Sequence, residues 1–289
     1  MSDMMHRGLT ADSAARFLAV EVTEAAEEAR RRHGLNNGTA RLLGEAMTAA
    51  LMMSAYIKGE ERITLQIQCS EPPLSISCDV NAEGGVRGRL SPPNAQIRTH
   101  GRLKGMMLVI KHNVNTELYR GVTAIDDQSI GQALATHLRE SSQVDAVVNI
   151  HSKSVGEKII SKPMAWAGGV LVERMPAAKD LPSLSPAAFE AHYGSVRDLS
   201  GEAVRAVLTT KSLSGAPTMV MEQRPVAWKC HCSQERVAGM LISLGPAELQ
   251  SMIDEDHGAE INCHFCNEQY TVSEQELVAL KQAAEGARA

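Results

Sequence analysis

The sequence predicts an α+β fold in three parts: an N-terminal core of mixed sheets and helices, a short helical linker, and a small C-terminal module rich in cysteine. Segments that alternate apolar and polar residues come in runs with helical segments between them, which is typical of α+β proteins. Five of the eleven prolines then fall between residues 176 and 225, and two closely spaced cysteine pairs follow. We place the three parts at residues 1–176, 177–226 and 227–289.

The core begins with a short strand over residues 15–22 and a charged helix over residues 23–34. A second helix is predicted over residues 39–57 and is rich in Ala and Met, which favour helix formation. Its larger apolar residues recur at intervals of four positions: Leu43, Met47 and Leu51. This spacing places them on one face, so we expect the second helix to be mostly buried.

Two segments with strict alternation, residues 63–69 and 74–80, predict half-buried strands of an antiparallel sheet. Cys69 and Cys78 lie on the apolar side of this alternation, which favours small buried core residues over a reactive pair. Further elements are predicted as strands at 106–114, 118–125, 144–151 and 170–175, and a helix at 129–141. Three glycines are interpreted as turn residues of a β-hairpin rather than as a phosphate-binding loop: Gly84, Gly85 and Gly88.

The predicted linker, residues 177–226, is interrupted by prolines but is not devoid of apolar residues. Residues 186–193 and 201–209 each show a short amphipathic helical pattern. Helices of this length are marginal in water by themselves. We therefore expect the linker to dock on another surface of the protein.

The C-terminal module contains the strongest chemical signal of the sequence. Cys230 and Cys232 form one pair, thirty residues intervene, and Cys263 and Cys266 form the second. Four thiolates suit tetrahedral Zn²⁺, so we expect these cysteines to bind one zinc ion per chain. Asn267 follows the second pair and is one of the few residue types that tolerate the left-handed conformation such turns often require.

Two histidines, His231 and His264, stand beside these cysteines. Four thiols already complete a tetrahedral shell, so both histidines are interpreted as solvated turn residues rather than ligands. The spacing alone favours a permanent structural zinc module. It leaves open a redox function, because oxidation of the thiolates would destroy the ligand set and unfold the module.

Three further signals predict where the helices of this module begin. Ser233 is expected to be an N-cap, Pro246 to lie in the first turn of the next helix, and Ser273 with Glu276 to form the capping box of a final helix.

Charge and composition exclude several classes of function. The chain carries 29 basic and 34 acidic residues, and residues 226–289 hold 4 and 10 of these, which argues against nucleic-acid binding by this segment. The longest run without a charged residue is 46–57, too short for a bilayer span of ~18 residues. Asp3 and Arg7 interrupt any N-terminal export signal, so we expect a cytoplasmic protein without a membrane partner. Nucleotide-binding and hydrolase motifs are missing, which predicts that the protein is not an enzyme.

The cysteine module resembles that of the thirty-three-kilodalton heat-shock chaperonin family. The resemblance rests on Trp228 before the first pair, on the Ser-x-Glu-Arg run of residues 233–236, on the helix end at 252–256, and on the order and spacing of the four cysteines. Weaker similarity follows the core in order, at residues 63–69, 119–122, 167–169 and 175–176. Two positions depart from the common family pattern: Asn267 replaces Gly, and Glu173 replaces Gln.

The resemblance implies an ATP-independent holdase chaperone that is inactive when reduced and zinc-bound. Oxidation would form the disulfides Cys230–Cys232 and Cys263–Cys266, release zinc, and unfold the module and the metastable linker. The exposed apolar surface of the client-binding core and linker would hold unfolding proteins, commonly as a homodimer, until ATP-dependent foldase chaperones take over. A static zinc adaptor and a thiol oxidoreductase remain the alternative functions.

Overall fold

A computed structural model describes residues 2–97, 101–114, 116–155, 164–176, 178, 184–185, 187, 191 and 216–286. The chain divides into two compact units, Met1–Lys229 and Cys230–Ala289. Both units combine strands and helices, so the predicted α+β class is confirmed. The linker patterns predicted at 186–193 and 201–209 lie outside the described residues except for residues 187 and 191.

The first unit contains, in chain order, β1 (Met4–Thr10), β2 (Ala15–Glu21), α1 (Thr23–His33), α2 (Asn37–Met53), β3 (Arg62–Glu71), β4 (Leu74–Asn81), β5 (Gly85–Ser91), β6 (Leu103–Asn113), β7 (Thr116–Gln128), α3 (Ile130–Ser142), β8 (Ala146–Ser154), β9 (Met164–Arg174), β10 (Thr218–Pro225) and β11 (Ala227–Trp228). A five-stranded antiparallel sheet has the order β10-β1-β2-β9-β8, and a six-stranded sheet has the order β11-β5-β4-β3-β6-β7. The six-stranded sheet is antiparallel except for the parallel pair β11 and β5.

Helix α2 forms the centre of the first unit because it packs against strands of both sheets. Leu43, Met47 and Leu51 are almost completely buried, as their spacing predicts. Gly88 of β5 lies close beneath this helix: a Cβ there would be 3.0 Å from Leu43 Cδ1 and 3.1 Å from Met47 Cγ. The absence of a side chain at Gly88 therefore allows the strand and the helix to approach each other.

Two features of β5 and β10 differ from the sequence prediction. Gly84 occupies a turn with φ of +90°, as expected, but Gly85 and Gly88 lie within strand β5. Residues 218–225 of the predicted linker form β10 and pair with β1, so that Met4 lies opposite Pro225. Val86, Gly88 and Leu90 of β5 alternate with Arg87 and Arg89, whereas β10 shows no such alternation and exposes most of its side chains.

The second unit contains α4 (Gln234–Leu244), α5 (Pro246–Asp256), β12 (Gly258–Asn262), β13 (Gln269–Ser273) and α6 (Glu274–Gly286). Its buried apolar residues are few: Val237, Leu241, Leu249, Ile253, Val272, Leu277 and Ala284. The predicted helix starts are confirmed, since Ser233 Oγ accepts a hydrogen bond from Arg236 N, and Ser273 and Glu276 form reciprocal bonds. Among the described residues, no helix combines the length and apolar character that a bilayer span requires.

Candidate metal centre

Two short segments of the second unit carry the four cysteines that the sequence singles out. Cys230 and Cys232 lie in the segment between β11 and α4, and Cys263 and Cys266 lie in the tight connection between β12 and β13. Cys266 is buried, and the other three are half-buried. The antiparallel pairing of β12 with β13 fixes the second segment, while the cap of α4 fixes the chain after the first pair.

The four sulfur atoms converge, with all of them within 4.8 Å of one another. Cys230 Sγ lies 3.7 Å from Cys263 Sγ, and Cys232 Sγ lies 3.2 Å from Cys266 Sγ. Sulfurs placed at ~2.3 Å from a tetrahedral zinc ion are about 3.8 Å apart. The arrangement and the soft thiolate chemistry of this donor set therefore fit Zn²⁺.

The turn that carries Cys263 and Cys266 is followed by a residue in the left-handed backbone conformation, which turns of this kind often require. Asn267 has φ of +58°, as expected for its position after the pair. Its N–H donates to the carbonyl of Cys263 at 2.8 Å, and the N–H of Cys263 donates to the carbonyl of Glu268 at 2.9 Å. These bonds close the turn that carries both cysteines.

Tyr270 is a site residue that the sequence analysis missed. It lies on β13, four residues after Cys266, and its hydroxyl is hydrogen-bonded to Cys232. Burial raises the pKa of Cys232, and the Tyr270 hydroxyl opposes that shift because its hydrogen bond favours the thiolate. Such contacts around the ligands orient them and adjust their basicity.

The histidines next to the cysteines do not join the sulfur cluster. His264 is exposed, and His231 is half-buried. Within the described part of the chain, the donor atoms that lie close enough together to share a metal ion are the four cysteine sulfurs.

Cys69 and Cys78 belong to the first unit and are not members of the four-sulfur cluster. They are 4% and 0% exposed, and in the ladder of β3 and β4 they stand opposite Leu74 and Leu65 rather than each other. Burial raises the pKa of the Cys69 thiol to about 11 and raises that of Cys78 well above its usual value. Both thiols therefore stay protonated at neutral pH, which supports their interpretation as core residues.

Comparison with known proteins identifies relatives over nearly the whole chain. The family model described as Hsp33 protein matches residues 3–273. A 33 kDa chaperonin of Listeria monocytogenes is 32% identical over 300 residues, covering 98% of this chain and 100% of the relative. A 33 kDa chaperonin of Bacillus licheniformis is 33% identical over 295 residues, covering 96% of this chain and 99% of the relative.

A solved structure shares the fold. The crystal structure of the 33 kDa chaperonin of Thermotoga maritima, described as a heat shock protein 33 homolog, aligns with a TM-score of 0.81 at 22% sequence identity. The alignment covers 99% of this chain and 100% of that chain. The likeness therefore extends over both units of the protein.

Proposed function

This chain belongs to the Hsp33 protein family, and from that membership we propose that it is a redox-regulated, ATP-independent holdase chaperone. In the proposed resting state the thiols are reduced, the C-terminal unit is folded, and the protein does not hold clients. Oxidation opens the protein and creates the client-binding form. The observation that carries the proposal is the convergence of the four sulfurs of Cys230, Cys232, Cys263 and Cys266 within 4.8 Å.

These four cysteines would hold one Zn²⁺ per chain in the reduced state. When bound, zinc supplies a cross-link between the two segments and keeps the thiols in the thiolate form, and such sites contribute on the order of 10 kcal/mol to folding in small domains. The second unit depends on that contribution because, among its described residues, the apolar core consists of seven buried side chains with a few partly buried ones around them. A single core of this size supplies at most about 3–5 kcal/mol.

Oxidation would pair Cys230 with Cys232 and Cys263 with Cys266. For each pair, the two thiolates together lose two electrons and one S–S bond forms, while hydrogen peroxide takes up these electrons and two protons from solvent and leaves as two molecules of water. Bonded sulfurs are ~2.05 Å apart, so they cannot keep the separations of about 3.8 Å that a shared ion needs. The disulfides therefore remove the ligand set and, with it, the main support of the unit.

The first unit contains an apolar surface that such opening could uncover. A second cluster of buried residues, separate from the core around α2, occupies the five-stranded sheet: Ala15, Phe17, Ala19, Val147, Trp166, Val170 and Val172. Ala178 and Leu184, at the start of the predicted linker, pack against this cluster. Release of the linker over residues 177–226 would expose this cluster to unfolding clients. We further propose that the oxidised protein dimerises and later transfers its clients to ATP-dependent foldases.

The test is the aggregation of a chemically unfolded client, followed by light scattering, with a chromophoric chelator that reports released zinc. We expect suppression of aggregation only after peroxide treatment, together with release of about one zinc ion per chain, as one four-thiolate site implies. Four variants, each with one of the four ligand cysteines replaced by Ser, should bind zinc far more weakly. Equal behaviour of the reduced and oxidised protein, with zinc retained, would refute the switch and favour a static zinc module.

A further inference from the structure

A groove of about 380 Å³ crosses the outer face of the six-stranded sheet, the face turned away from α2. Strand register places one continuous row of side chains across five strands: Arg89 opposite Ser77, Ser77 opposite Gln66, Gln66 opposite Leu108, and Leu108 opposite Val122. The row begins with a cation on β5 and ends with apolar side chains on β6 and β7. The groove therefore has two chemically different ends.

The apolar end is exposed to an unusual degree for a sheet surface. Met106 on β6 is 54% exposed and Val122 on β7 is 58% exposed, and Leu108 lies between them. Strand β7 is the last strand of this sheet. These exposed side chains give an apolar side chain of a ligand a place to pack at this end of the groove.

The charged side chains that line the groove are both arginines, Arg89 and Arg120. Arg120 forms an ion pair with Glu117. Arg89 has no ion pair with any residue that the structure describes, and in the same part of the chain the amides of Gln66 and Gln68 make no side-chain hydrogen bond. Within the described part of the chain, the groove thus offers an unpaired cation and unpaired amide groups to a ligand that carries a carboxylate and a peptide backbone.

We propose that this groove binds an extended peptide that presents a carboxylate to Arg89 and a bulky apolar side chain to Met106 and Val122. Four strand spacings of ~4.8 Å separate β5 from β7, or about 19 Å, which an extended chain spans with about six residues. The partner is therefore a peptide with an acidic residue and an apolar residue about six positions apart.

The identity of the peptide as part of an unfolding client rests on the proposed function. Unfolded chains expose such segments, whereas folded proteins bury the apolar member. The groove alone binds one client segment weakly. A client that also contacts the apolar surface uncovered by oxidation would bind more tightly, because the two contacts lie on one chain. The groove itself is accessible without oxidation, so its binding can be measured separately from the switch.

Fluorescence anisotropy with the full-length, reduced and zinc-loaded protein tests the inference. The probe is a fluorescein-labelled octapeptide, Asp-Asp-Ser-Gly-Ser-Ser-Phe-Leu, and its counterpart has Lys in place of both Asp residues. We expect the acidic peptide to bind about fivefold more tightly, the scale of an exposed ion pair. Arg89→Glu should reverse this preference, and Val122→Asp should weaken binding of the acidic peptide. Arg62→Glu, on the same sheet but outside the groove, is the matched control.

Equal binding of the two peptides, or an unchanged preference in a folded Arg89→Glu variant, would overturn the proposal. A change in sedimentation of that variant without a change in peptide binding would assign the groove to a second copy of the chain, and would overturn it as well. Failure of peroxide to activate the protein would count against the redox switch alone, because the peptide measurement uses no oxidant.

Discussion

Replacement of Leu249 by Ala should weaken zinc binding although Leu249 is not a ligand. Leu249 lies on α5, is 0% exposed, and belongs to the small core of the second unit. Truncation of a fully buried Leu to Ala costs about 2–5 kcal/mol of folding free energy. If folding of this unit and metal binding are coupled, that loss appears in the apparent affinity for zinc.

The lower limit of this cost, about 2 kcal/mol, corresponds to a roughly 30-fold weaker apparent affinity, since 1.4 kcal/mol is a factor of ten. The measurement is a competition titration between the reduced protein and a chromophoric chelator. Leu244→Ala is the matched control, because Leu244 lies at the end of α4 and is 48% exposed. This control should change the affinity by about twofold at most, as expected for an exposed position.

Circular dichroism at saturating zinc shows whether the Leu249→Ala variant folds when the metal is present, and we expect a spectrum like that of the wild type. An unchanged zinc affinity in a folded Leu249→Ala variant would refute the reasoning. The second unit would then be stable without metal, and loss of zinc could not be the step that unfolds it.

Two further predictions concern the first unit. Cys69→Ala and Cys78→Ala should lower the thermal midpoint but leave peroxide activation of client binding intact, and loss of activation in a stable variant would place redox chemistry in the core. Burial raises the pKa of Glu45 to about 7, so this carboxyl favours the folded state when protonated and destabilises it as pH rises from about 4.5 through 7. Glu45→Gln should therefore raise the thermal midpoint at pH 8 and have little effect at pH 5. The exposed control Glu140→Gln should show no such difference, and an equal gain at both pH values would exclude titration of Glu45 as the cause.

Local signals in the sequence were sufficient for the elements that depend on near neighbours. Alternation predicted β3 and β4, four-residue spacing predicted the buried face of α2, and capping residues predicted the helix starts near Ser233 and Ser273. The cysteine spacing singled out the four sulfurs, and Asn267 predicted the turn that holds the second pair. Apart from the thirty residues between the two cysteine pairs, these signals act over a few residues, so they can be recognised from the sequence without the tertiary structure.

Only the tertiary structure decided the contacts between distant segments. β10 joins β1 from more than two hundred positions away, and exposed strands of this kind carry no periodic pattern because neither face is fully buried. Tyr270 approaches Cys232 because the hairpin of β12 and β13 folds back, and the row from Arg89 to Val122 exists because five strands share one register. The sequence determined the ligand types and the local turns, while the structure decided their neighbours, because strand pairing is selected by burial over the whole chain.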